Sequence, residues 1–394
     1  MDTNDFLGSF AQENVSFTTR VVRTTSVGDN FWKVMIFVES DRFVDASSDV
    51  WTLIPGSSTI KALSVGADDF VGYTSGVLQS WLVDLFSNGF TGDCILVACA
   101  PHSSEAEPSS DAFIEAMELA YEQLKAYAYH KTVCAAPKLG VDSDAFAVDP
   151  SVAVSLATLC DIDKGLLSSA PYLPFTTSTP NDPESDALYS ALTTAGKDAF
   201  MSAHQDATRN AALYSLGLAM STLNKSGTCV GNSMDMTKSN MINSSGPSGT
   251  NLPKAVRSQL KSLNIQTFKP VGDNSGNVAA VGAKTLRGDV VQATWIVSYI
   301  TYMVKVAVAR MITEPNYLKN ADNYASIVAT MIAYIQLFGD AGSGRLKDIQ
   351  STAPSFGALP PAEEDVITIP DAWSAKYVDQ VREVQITGTL YIGA

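Results

Sequence analysis

Three histidines, His102, His130 and His204, are the only imidazoles in the 394-residue chain, and none stands at metal-ligand spacing from another. A nucleophilic mechanism built on one of them would need a marked partner. The sequence has no G-x-S-x-G elbow, so a Ser-His-Asp triad could be assembled only by arbitrary choice among many serines. Two acidic pairs, Asp142 with Asp144 and Asp161 with Asp163, could share Mg²⁺ or Ca²⁺. Both lie beside expected helix boundaries, where aspartate is favoured as a cap or loop residue, and capping is the expected role. The segment GAKTLRG (282–288) lacks the spacing of a P-loop, and the turn ESDRFVD (39–45) carries no G-x-G-x-x-G. Trp295, Tyr299 and Tyr302 recur at helical spacing and are expected in a core. These residues predict no metal, no cofactor and no catalytic centre. A soluble α/β enzyme with an unmarked site stands as the alternative to a structural protein.

The elements that would position these residues follow from periodicity. Phe31 to Val38 (FWKVMIFV) and Cys94 to Ala100 (CILVACA) are continuous apolar runs of buried-strand type, and Thr132 to Ala136 is a shorter one. Between the first two, Val77, Leu78, Trp81, Leu82, Leu85 and Phe86 give an amphipathic helix over 73–88 that ends at Gly89. Ser110 is placed to cap a helix running to about Tyr129, and Asp149-Pro150 and Asp182-Pro183 open two more, the second reaching about Ala203. Residues 207–223 read as a further helix. The alternation predicts a doubly wound α/β domain with a mostly parallel sheet. Residues 224–251, crowded with Ser, Asn, Gly and Met, mark a loop or domain boundary. Beyond it the pattern predicts a helix over 253–263, a strand over 265–271, a turn at GDNSG (272–276) and a strand near 278–281. A helical hairpin of 289–313 and 321–338 follows, turning at Glu314-Pro315, then a loop over 356–361 and a strand over 365–369. The expected division is an arm (1–28), an acidic α/β outer domain (29–250), an α+β core domain (251–378) and a terminal strand (379–394).

Composition bounds the rest. A hydrophobic content of 46% supports a large core. Five cysteines, Cys94, Cys99, Cys134, Cys160 and Cys229, include no C-x-x-C pair, which favours free thiols in a reducing compartment. The start, MDTNDFLGSFAQEN, is acidic and lacks the apolar run of a secretory signal. Val290 to Ile312 is long enough to span a bilayer, but Lys305 and Arg310 within it point to a buried core helix, and no membrane association is expected. The net charge of −15 is uneven: residues 1–250 carry 29 acidic and 13 basic side chains, residues 251–394 carry 12 and 13. The eight basic residues of 251–310 would meet an acidic partner. Nucleic acid is not expected, because the overall field repels phosphate.

Both termini are β-patterned. In Asp379 to Ala394, Val384, Ile386, Leu390 and Ile392 share one parity; in Asn14 to Thr25, Val15, Phe17 and Val21 do so. Such ends need a sheet to join, their own or a neighbour's.

In this order the parts resemble the sheath proteins of contractile phage tails and related contractile injection systems. The resemblance rests on SSTIKALSVGADDFVGYTSGVLQSWLVDLFSNG (57–89), on Asn264 to Thr267 with GDNSG, on VGAKTLRGDVV (281–291) ahead of the Trp295 helix, and on the closing VREVQITGTLYIGA. It implies a C-terminal core domain lying against an inner tail tube, with a variable α/β part facing outward. Terminal strands of neighbouring subunits would complete each core sheet, knitting hexameric rings into a helical homo-oligomer. It further implies contraction that drives the tube through a host envelope, and baseplate and tail terminator proteins as further partners. The location implied is the virion tail, assembled in the host bacterial cytoplasm. Tube contact would fall on Tyr317 to Tyr324 (YLKNADNY), with Tyr317, Lys319, Asp322 and Tyr324 facing the tube.

Overall fold

The computed structural model describes residues 33–40, 42–87, 89–99, 110–135, 147–163, 165–171, 173, 182–204, 206–220, 238–239, 254–270, 278–313, 320–339, 345–359, 369 and 372–377. The protein is a mixed α/β fold on a mostly parallel central sheet. Strand β1 (Val34–Glu39) is its centre and is buried at every position, as a run with no polar parity must be. It pairs in parallel with β4 (Cys94–Cys99) on one side and β5 (His130–Cys134) on the other. Two very short strands, β6 (Leu166–Ser169) and β7 (Ala199–Met201), continue the parallel sheet beyond β5. On the opposite side, β3 (Lys61–Val65) runs antiparallel to β4, and β2 (Thr52–Leu53) runs antiparallel to β3. The order is therefore β2-β3-β4-β1-β5-β6-β7. Chain direction across the sheet reverses at β1, so its carboxyl end is a topological switch point.

Helices cover both faces, and strand parity decides which side chains meet them. Val34, Ile36 and Val38 face a cluster formed with helices α1 (Gly76–Phe86), α5 (Ala211–Met220), α7 (Val291–Ile312) and α8 (Ala321–Gln336). Met35 and Phe37 face α2 (Asp111–Leu124), α3 (Pro150–Asp163), α4 (Ala187–Thr194) and α6 (Lys254–Ser262). Packing runs across the boundary expected at 250/251: Trp295, Ile300 and Ile335 share one core with Val34 and Leu82. Backbone does so too, since Ser202 bridges Gln266 and Phe200 bridges Thr285, which covers the β7 edge. Helix α7 has the length and mean hydropathy (22 residues, 1.4) of a membrane span, but 61% of its most apolar stretch is buried in this packing.

Helix ends follow the residues that fix them, with two corrections. Gly89 adopts a left-handed φ of 77° and its N–H donates to the Phe86 carbonyl, the cap expected after α1. The Asp149 carboxylate accepts from the N–H groups of Ser151 (2.7 Å) and Val152 (3.2 Å), with Pro150 in the first turn of α3. Ser110, however, does not cap α2; its backbone is already helical and its hydroxyl lies 2.9 Å from that of Ser151. The helix expected from Asp182 to Ala203 is instead three elements: a 3₁₀ turn (Pro183–Ser185), α4 capped by Asp186, and β7. Gly196, at φ 63°, allows the reversal between the last two.

Two small sheets complete the described chain. Strands β8 (Lys238–Ser239), β9 (Thr267–Pro270) and β10 (Val278–Val281) form one, in the order β8-β10-β9. Strands β11 (Leu346–Ser351) and β12 (Trp373–Tyr377) form an antiparallel ribbon that periodicity did not predict. The expected strand over 365–369 falls almost wholly outside the described residues, as do GDNSG and most of the 224–251 loop.

Candidate functional site

The residues that could do chemistry are for the most part spent on structure. His130, on β5, is fully buried; its Nδ1 lies 3.0 Å from the Ser168 hydroxyl and its ring meets Trp295 edge-on at 4.7 Å. Burial holds the imidazole neutral by pushing its pKa well below the usual value, and the neighbouring Lys131 charge adds to the effect. His204 is buried as well, its Nδ1 accepting the Asp206 N–H at 3.0 Å. Asp161 pairs with Arg287 (3.3 Å) and Asp163 with Lys125 (3.3 Å), joining separate elements. His102, Asp142 and Asp144 lie outside the described residues. In GAKTLRG the amides that could cradle a phosphate are engaged: Thr285 donates to Asp289, Leu286 to Ala199 and Gly288 to Thr285. The Arg287 N–H donates to Asp198 Oδ1 at 3.2 Å. Trp295, Tyr299 and Tyr302 are core residues, at 1%, 3% and 5% exposure.

The buried thiols are inert for the same physical reason. Cys94, Cys99, Cys134 and Cys160 are free and buried. Burial raises all four, Cys160 to about 11, so none is a thiolate at neutral pH. Beside Cys160, the Lys131 ammonium is buried at 2% exposure, donates to the Ala128 carbonyl at 2.7 Å and sits 5.2 Å from the Tyr121 ring centroid.

A cleft of about 90 Å³ opens at the carboxyl edge of the sheet, beyond β6 and β7. The chain leaving β6 supplies Ala170 and Pro171, the start of α4 supplies Asp186 and Leu188, and the β7–α5 loop supplies Asp206, Ala207 and Arg209. Trp81 of α1 and Val148, ahead of α3, close it. Its wall is held by a buried ion pair: Asp84 on α1, at 1% exposure, accepts from Arg209 Nε at 2.8 and 3.0 Å and from the Asn210 N–H at 2.8 Å. One carboxylate thereby docks α1 on the amino end of α5, where Asn210 itself caps Leu213 N–H at 3.0 Å. Burial raises the Asp84 pKa, while the Arg209 guanidinium and the Asn210 amide oppose the shift. The sequence marked none of these groups, because Asp84 and Arg209 stand 125 positions apart and neither lies in a motif.

The residues expected to make contacts between subunits divide. Val15, Phe17, Val21, Val384, Ile386, Leu390 and Ile392 lie outside the described residues, as do Tyr317 and Lys319. Asp322 is exposed in the first turn of α8. Tyr324 is 5% exposed, and its hydroxyl donates to the Pro354 carbonyl at 2.6 Å while its ring meets Phe356. Helical phase turns it inward, two residues after Asp322. The β11–β12 ribbon is largely open to solvent. Only Leu346 of β11 is buried, and β12 alternates half-buried and exposed. Its inner residues Trp373, Ala375 and Tyr377 rest on the core, and among the described residues β11 and β12 pair with no other strand. No protein-family profile matches the chain, and no curated protein matches it.

Proposed function

We propose that the protein is the structural subunit of a contractile tail sheath, a helical homopolymer around an inner tube whose rings are joined by exchanged terminal strands. The observation that carries this reading is the β11–β12 ribbon. Among the described residues the ribbon has no third strand, and two strands alone are marginal in water and offer edges for further pairing. The ribbon lies directly ahead of 379–394, a segment with the alternation of a half-buried strand. A strand from another copy could add there through backbone hydrogen bonds, which tolerate rigid-body motion when the connecting arm bends. On this reading the acidic α/β region faces outward, keeping a large assembly soluble, and the near-neutral C-terminal region faces the tube. Tyr317, Lys319, Asp322 and Tyr324 are the tube-facing candidates, and the subunit acts in the virion tail without catalysis.

Electron microscopy of the purified chain, with and without residues 1–19 or 380–394, tests it. Hollow striated cylinders for the full chain, with folded but unassembled particles for either truncation, are the expected result. Long assemblies from both truncations would refute strand exchange. A second reading, a soluble α/β enzyme, has one observation in its favour: the cleft opens at the carboxyl ends of strands, the side on which open α/β folds bind ligands, although away from the switch point at β1.

A further inference from the structure

We infer that the cleft at the carboxyl edge of the sheet binds an alkylammonium group, a primary ammonium on a short methylene stem. This rests on the cleft alone and is independent of the sheath reading. Size sets the first limit. About 90 Å³ is well below the roughly 300–1,000 Å³ of a typical cofactor or drug site, so the occupant is slender, on the scale of one side chain. Lining sets the second. Val148, Ala170, Pro171, Leu188 and Ala207 offer small apolar surfaces that suit methylene groups.

Charge then decides the head group. Among the described residues, Asp186 and Asp206 line the cleft together with one cation, Arg209, which is bridged by Asp84. With Arg209 paired to Asp84, an anion entering here would face the two carboxylates of Asp186 and Asp206, whereas an ammonium would be attracted by them. Both rim carboxylates are held in place by the backbone. Asp186 accepts from Tyr189 N–H at 2.9 Å, and Asp206 accepts from the Thr208 N–H and hydroxyl at 2.9 and 2.7 Å. Each carboxylate has acceptor capacity beyond those bonds. Burial also raises the Asp186 carboxyl, a cost that a docked cation would offset.

The shared chemistry has two sources, a free diamine or a lysine side chain from another protein copy, and the test separates them. The full chain is titrated calorimetrically with 1,4-diaminobutane, with Nα-acetyl-lysine methylamide, and with 1-butanol as the uncharged control. Saturable binding of the amines and none of the alcohol is expected. Asp186→Asn and Asp206→Asn should each weaken it at least tenfold; asparagine keeps the same backbone bonds, so both variants should fold. Ala207→Leu fills the cleft without touching a charge and should abolish binding. Tighter binding of the blocked lysine assigns the cleft to a protein side chain, tighter binding of the diamine to a small molecule, and either supports the assignment. No saturable heat with either amine, or undiminished affinity in the double asparagine variant, would overturn it.

Discussion

Replacing Gly217 by alanine tests the tightest joint in the fold, where α5 crosses α1. A Cβ at this position would lie 1.8 Å from the Leu85 carbonyl oxygen and 2.8 Å from its carbon. Both atoms are backbone, so no side-chain rotation can relieve the overlap, and the helices must separate by more than an ångström. That separation reaches Asp84, the residue before Leu85, whose bonds to Arg209 and Asn210 span the same two helices. Overpacking of a filled interior costs about 1–3 kcal/mol. Weakening a buried hydrogen bond to a charged group adds about 1.5–3 kcal/mol. Alanine's helix preference over glycine returns about 1 kcal/mol. The net expectation is a loss of about 3 kcal/mol, equivalent to a fall of roughly 6–12 °C in Tm for a large domain. Urea denaturation at neutral pH, followed by far-ultraviolet circular dichroism, measures it. Gly72→Ala is the control, because a Cβ there meets nothing within 4 Å. If Gly217→Ala were within about 0.5 kcal/mol of the parent, the range for inconsequential surface changes, the close crossing of α1 and α5 would be refuted.

Three further outcomes follow from buried charge. Asp84→Ala removes the carboxylate that bridges Arg209 Nε and the Asn210 N–H and should cost about 3 kcal/mol, with a double-mutant cycle through Arg209→Met recovering part of the loss. His130 is neutral in the fold and has an ordinary pKa of 6.5 when unfolded, so protons favour the unfolded chain. Its stability is full above about pH 6.5 and falls as pH drops below that, by up to about 1.4 kcal/mol per unit, and the slope should flatten in His130→Gln when urea midpoints are compared between pH 7.5 and 5.5. The four buried thiols should resist Ellman's reagent in the native chain and react on unfolding; fast native reaction at Cys160 would contradict its burial.

The long elements were legible because each carries its own signal. Val34–Val38 is apolar at every position and could only be a strand buried on both faces, and α1 and α7 show their helical period over three turns or more. Caps written in one dipeptide, Asp149-Pro150, and in the Gly89 terminator were readable for the same reason. Strands β6 and β7 were not, since four and three residues are too few for a period, and they become strands only through pairing with β5 and with each other. The reading of 182–203 as helical failed there: Ala199–Met201 lacks local preference, and the open edge of β6 decides its state. The burial of Tyr324 was not legible either, because the turn sequence alone does not fix helical phase.

Sequence by itself thus determined the α/β class, the apolar central strands, the helical hairpin and the absence of recognisable catalytic wording. Tertiary structure decided the strand order with its reversal at β1, the packing of α7 and α8 onto the same core as β1, and the cleft with its Asp84–Arg209 wall. The physical reason is range. Propensity, capping and periodicity act over a few residues, whereas a buried ion pair across 125 positions, or an edge that recruits three residues into a sheet, exists only once distant segments have been brought together.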